Sequence, residues 1–171
     1  SDDYSFFMDG GKYSRAFSKQ AAIENVSALS NEVSALKPDF ALFQEVDTDS
    51  TRSYHLNQAE MLKSDFSDYS SSFAENYHSA YLFYPFLEPH GASNSGLLTL
   101  AKHKISDATR ISLPISESIS KFLDLDRCYS KTYFEVEGGK KLVIYNVHLS
   151  AYGGSEEIRT AQMSKLFNDM K

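Results

Sequence analysis

Along the chain, Ala22, Ile23, Val26, Leu29, Val33 and Leu36 recur at helical spacing, and Pro38 ends the run, which predicts an amphipathic helix. Ser18 stands where its N-cap belongs. Beyond the proline the period changes. Phe40 to Gln44, FALFQ, reads as a buried strand that stops on a carboxylate, Glu45. Asn57 followed by Glu60 predicts a capped short helix through about Lys63. The aromatic-rich SSSFAENY and AYLFYPF fit either strands or packed loop. Gly96 to Ala101 and Ala108 to Leu113 read as strands separated by a lysine-rich turn. The stretch CYSKTYFEVEGGKKLVIYNVHLS predicts two strands joined at Gly138-Gly139, a pair suited to a tight hairpin turn. Ser155 caps a closing helix with Ile158, Met163, Leu166, Phe167 and Met170 on or near one face. Ser1 to Phe17 read as an opening loop with aromatic anchors. This order predicts an α/β (α+β) domain with a mixed, mainly antiparallel sheet and helices on one face.

The 171 residues fit one domain spanning 1–171. A net charge of -6 and a pI near 5.3 argue against a passive basic module that holds nucleic acid by neutralising phosphates. An enzyme that meets phosphate through a bound cation is compatible with that charge. The lone cysteine, Cys128, cannot form a disulfide within the chain, and no Cys/His spacing suggests structural zinc. The longest apolar stretch, Ala80 to Leu87, is far shorter than the ~20 residues of a membrane-spanning helix, so the chain reads as soluble, with its compartment open.

Two positions invite chemistry. A carboxylate leaving a buried strand, Glu45, lies where open α/β sheets place ligand crevices, and hard cations such as Mg²⁺ take one or two such oxygens with several waters. His148 closes the strand LVIYNVHL on the same side as Leu142, Ile144 and Asn146, and a histidine there can serve proton transfer or charge stabilisation. Each residue alone also has an ordinary reading, a charged strand exit or a hydrogen-bonded edge histidine.

Taken in order, PDFALFQEVD, SGLLTLAKHKI, LVIYNVHLSAYGG and IRTAQMSKL resemble the motif series of the endonuclease/exonuclease/phosphatase superfamily, over about Ser18 to Leu166. These are metal-dependent phosphodiesterases and phosphomonoesterases. The resemblance implies part of a four-layer α/β sandwich of two packed sheets. It implies that Glu45 binds Mg²⁺, with Mn²⁺ or Ca²⁺ as alternatives, and that Gln44 is its supporting neighbour. His148 and Asn146, from the Asn-x-His-Leu segment, become the catalytic pair beside the scissile phosphate. Gly96 matches a small residue kept for packing, and Arg159 and Gln162 match an Arg-x-x-Gln that braces the site loops. The implied substrate is a phosphoester: nucleic acid, inositol phosphate, nucleotide or phospholipid head group.

Arg52 and His55, on the loop after Glu45, are further candidates for substrate contact, against an ordinary surface loop. Arg127 could reach a phosphate or pair with Asp124 or Asp126. The aromatics of YLFYPFLEP read as a buried loop rather than a lipid-facing one. Deoxyribonuclease-like members orient their histidine with a glutamate, and the comparable stretch here, ASNS (Ala92 to Ser95), has no carboxylate, which argues against that branch. The superfamily's Gly-Asp-x-Asn motif, its terminal Asp-His pair and its first strand find no match. The resulting expectation is the front portion of a longer enzyme, inactive alone, with weak or absent metal binding and an uncovered apolar sheet face through which it self-associates. A catalytically silent binding module of the same fold is the alternative.

Overall fold

The computed structural model describes residues 12–115, 126–150 and 156–171. Ser18 accepts a hydrogen bond from the Ala21 N–H and starts α1, Lys19–Ala35. The chain then turns into β1, Phe40–Ser50. A 3₁₀ turn at Thr51–Ser53 leads to α2, Gln58–Asp65, whose N-cap Asn57 accepts from Glu60 N–H. Three strands follow: β2, Ser70–Leu82, β3, Gly91–Ala101, and β4, Asp107–Ser112. A hairpin of β5, Cys128–Val136, and β6, Lys140–Val147, turns through Gly138 and Gly139 at φ of 78° and 70°, a conformation that glycine adopts without steric cost. Helix α3, Glu156–Asp169, ends the described chain. The expected cap at Ser155 and the partner Asp124 lie outside the described residues.

The strands form two three-stranded sheets, ordered β1-β3-β2 and β4-β5-β6, with antiparallel pairing throughout. The expected dominance of antiparallel pairing is met, in two sheets packed on one another. Helices α1 and α2 pack on the outer face of the first sheet. There Val26, Val33, Ala59 and Leu62 meet Ala41, Phe43, Leu98 and Leu100. Helix α3 packs on the outer face of the second, with Met163 and Leu166 against Leu113, Tyr129, Tyr145 and Val147. Its last turn is pinned where Asp169 accepts from Tyr129 Oη (3.0 Å) and pairs with Lys131 Nζ (2.9 Å).

The inner faces meet each other through Ala74, Leu97 and Cys128, the Phe40–Phe134 ring pair and a 2.9 Å hydroxyl contact between Ser72 and Thr132. Each sheet thus carries helices on one face, and the described residues form four layers. Among the described residues, large apolar side chains stay open at edge strands, including Leu42 of β1 and Leu142 of β6, each 38% exposed, and Tyr81 of β2. The β2–β3 connection also departs from expectation. Phe83, Tyr84, Phe86 and Leu87 are exposed rather than buried, because the tip projects past the sheet and its rings pack on one another (Tyr81–Phe83, 4.8 Å; Tyr84–Phe86, 6.0 Å). No described helix is long and apolar enough to cross a membrane.

Gly96 sits where β2 crowds β3, and a Cβ there would come within 2.5 Å of the Ala74 carbonyl oxygen and into the Phe73 ring. Gly96→Ala is expected to cost about 1–3 kcal/mol, lowering Tm by roughly 3–10 °C in a calorimetric scan. An unchanged Tm would show that the strands part without penalty.

Candidate active site at the bulge of the first sheet

Strand β1 does not stop at Glu45. It bulges there and runs on to Ser50. Phe43 pairs with Leu98 and Val46 with Gly96, so Gln44 and Glu45 together stand opposite Leu97. Glu45 takes a left-handed backbone, φ 55°, which costs a residue with a Cβ roughly 1–2 kcal/mol. The bulge re-aims the glutamate out of the pleat, and its side chain is 55% exposed.

The strain is met from the other sheet. Asn146 of β6, 1% exposed, accepts from Gln44 Nε2 (2.8 Å). Its Nδ2 lies 3.2 Å from the carbonyl oxygens of Phe43 and Leu98 and 3.3 Å from Thr99 Oγ1. Its amide is thereby committed to the bulge. Through these contacts Asn146 holds β1 against β6.

Two residues further on, His148 Nε2 comes within 3.0 Å of Glu45 Oε1, joining groups from opposite sheets. The ring's Nδ1 lies 2.8 Å from Nη1 of Arg127, itself only 5% exposed, and 2.9 Å from the Leu149 carbonyl oxygen. Arg127 therefore meets His148 from a buried position. Gln162 of α3, fully buried, accepts from Ser150 N–H (3.1 Å) and donates to Ser150 Oγ (2.7 Å) and the Pro114 carbonyl (2.8 Å). It ties the loop behind His148 to the outer helix.

Arg52 grips the buried carboxylate of Asp47 with Nε and Nη2 (2.9–3.2 Å), and its Nη1 stands 4.0 Å from Glu45 Oε2. The hydrogen bond from His148 is the largest cause that holds the Glu45 carboxyl down at about 2, with the Arg52 charge adding to it and burial opposing it. A cavity of about 340 Å³ opens beside Glu45, between α1 and β1, lined by Val26, Leu29, Phe43, Asp47, Arg52 and Gln58.

No protein-family model matches the chain, and no curated protein sequence matches it. Solved structures do. An endonuclease/exonuclease/phosphatase from Beutenbergia cavernae DSM 12333 superposes with a TM-score of 0.65 at 20% identity, over 84% of this chain and 38% of its own. An endonuclease/exonuclease/phosphatase family protein from Leptotrichia buccalis C-1013-b gives 0.64 at 17% identity, over 91% and 60%. The human Nocturnin catalytic domain, solved with a bound sulfate anion, gives 0.58 at 22%, over 86% and 50%. The chain has the endonuclease/exonuclease/phosphatase fold. It spans between 38 and 60% of the length of these three proteins.

Within that fold the remaining candidates separate. His55 pairs with Asp49 (2.5 Å) on the exposed end of β1, and Arg159 lies on the exposed side of α3. Neither has a described contact with Glu45 or His148. The residue against His148 Nδ1 is a cation, Arg127, which immediately precedes β5, whereas Ser93 and Ser95 of the ASNS stretch are buried in β3. Asp47, the anchor of Arg52, was not singled out in the sequence. Its place two residues beyond Glu45 and five before an arginine is the signal that points to it.

The depressed carboxyl has a sign that can be checked. Ionised Glu45 stabilises the fold above its ordinary value near 4.5, and that contribution fades as pH falls from there toward 2. Solvent screening keeps it small at a side chain this exposed. Carbon-detected NMR should place the Glu45 midpoint at about 2, and His148→Ala should raise it by about one unit or more. A midpoint that does not move would remove the histidine as the main cause.

Proposed function

We propose that this chain carries the cation- and phosphate-facing part of a phosphoester hydrolase site, centred on Glu45 and His148. The observation that supports it is their 3.0 Å contact, made between residues 103 apart in sequence and on different sheets. The residues present fit a hard divalent cation in a limited way. Among the described residues no group of three His, Cys, Asp or Glu gathers round a point. Glu45 Oε2, however, is beyond hydrogen-bonding reach of Arg52, and Mg²⁺ is commonly held by one or two carboxylates with waters and substrate phosphate oxygens. Glu45 would hold that ion, which when bound supplies neutralisation of phosphate charge.

The protein's own groups do the rest of what this site offers. His148 donates from Nε2 to a non-bridging phosphoryl oxygen, where charge grows in the transition state. His148 and, to a lesser degree, Arg52, fixed by Asp47, favour the ionised form of the Glu45 carboxylate. Asn146 and Gln162 hold the two loops at working distance. The sulfate in the human Nocturnin domain is a tetrahedral oxyanion like phosphate, which supports a site of this kind in the fold. One carboxylate is a weak hold on Mg²⁺, so metal affinity of this chain is expected to be poor and turnover weak or absent. The lack of an acidic cluster among the described residues favours, as a second reading, a binding module of the same fold without turnover.

Titration of the labelled chain with Mn²⁺ in the presence of inorganic phosphate tests this. Resonances of Glu45 and His148 should broaden first, and Glu45→Gln should abolish the effect with the amide spectrum otherwise intact. Broadening elsewhere, or broadening that survives Glu45→Gln, would sink the assignment. Wherever Mg²⁺-dependent hydrolysis of bis-p-nitrophenyl phosphate is measurable, Glu45→Gln should lower it by at least about 100-fold. Site-specific binding with no hydrolysis would favour the silent module.

A further inference from the structure

We infer that Arg127 is a positioning residue that fixes the neutral ring of His148 with its proton on Nε2, so that the site presents a hydrogen-bond donor to phosphate and not a base. The inference deepens the phosphoester reading above and rests on it for its functional meaning. Its structural content stands on three contacts. Nδ1 faces the Arg127 guanidinium at 2.8 Å and the Leu149 carbonyl at 2.9 Å, while Nε2 faces the Glu45 carboxylate at 3.0 Å.

A guanidinium only donates and a carboxylate only accepts. With the proton on Nε2 the ring satisfies both charged neighbours, accepting at Nδ1 and donating to Glu45. With the proton on Nδ1 it satisfies the neutral carbonyl alone, turning an N–H toward Arg127 and a lone pair toward Glu45. Charge-assisted hydrogen bonds are roughly twice as strong as neutral ones, so the first arrangement wins on both count and strength. Arg127 cannot readily swing away, because it is buried and precedes Cys128, whose carbonyl oxygen is 3.5 Å from the His148 N–H.

The consequence is chemical. A histidine backed by a carboxylate at its far nitrogen is made a stronger base. Backed by a guanidinium, it keeps a lone pair occupied at Nδ1 and offers only N–H at Nε2. In the proposed site His148 therefore stabilises charge on a phosphoryl oxygen and does not take the proton from the attacking water.

Long-range ¹H–¹⁵N spectra of the chain labelled at its histidines, recorded at about pH 8 where an ordinary imidazole is neutral, read the tautomer directly. Loss of one ring's signals in His148→Gln identifies it. Nε2 should be protonated and Nδ1 unprotonated. Arg127→Met should move the population toward Nδ1–H, and Arg127→Lys should largely keep the original form. A wild-type ring with its proton on Nδ1 overturns the inference, and so does an unchanged tautomer in Arg127→Met. The wild-type and lysine spectra decide the matter even where the methionine variant does not fold. No metal or substrate enters the measurement, so its failure is separable from failure of the Mn²⁺ test.

Discussion

A buried amide crosses between the two sheets at the point where one of them breaks its ladder, and the candidate site exists because of it. Asn146 takes up the backbone carbonyls of Phe43 and Leu98 and the side chain of Gln44 at the β1 bulge. An unmet buried carbonyl or amide costs about 1–3 kcal/mol, which would add to the roughly 1–2 kcal/mol of the left-handed glutamate. The bulge and the amide are thus one unit. The first supplies a carboxylate aimed out of the sheet, and the second keeps the strands close enough for His148, two residues on, to meet it.

Around that carboxylate the protein has arranged donors. His148 touches one oxygen, Arg52 stands behind the other, and each is itself held by a further partner: Arg127 for the imidazole, Asp47 for the guanidinium. Orientation set from behind is what lets a site meet a charged ligand with little rearrangement, because the rotamers are already fixed by packing and hydrogen bonds. Around the rim the two guanidiniums, Arg52 and Arg127, stand against the two carboxylates, Glu45 and Asp47, so the net charge of the whole chain does not describe the local one.

Much of this was legible in the residues and some was not, for physical reasons. Caps at Ser18 and Asn57, the stop at Pro38 and the Gly138-Gly139 turn are local chemistry, and each lies where the pattern put it. Strand β1 was read as ending at Glu45, because Asp47 looks like solvent-exposed charge until Arg52 folds over it. Which sheet each helix covers is not legible, for a similar reason. Periodicity says that a helix has an apolar face, not which sheet that face will find, so α3 could not be told from α1. Arg127 was within reach of a careful reader. Counting the hairpin register back from its glycine turn sets Cys128 across from His148, with the arginine next to it. Asn146 was noticed for its company with His148, but its work is done on backbone atoms that no side-chain pattern reveals.

Because Glu45 and His148 belong to separate sheets, the gap between them measures how those sheets slide over one another. Among the described residues, many of the side chains that meet there are small: Ala74, Cys128, Ser72 and Thr132, beside Leu97 and the Phe40–Phe134 ring pair. The spacing of Glu45 and His148 at the rim therefore rests on the small side chains packed between the sheets. The interior of the sandwich is thus the adjusting screw of its edge.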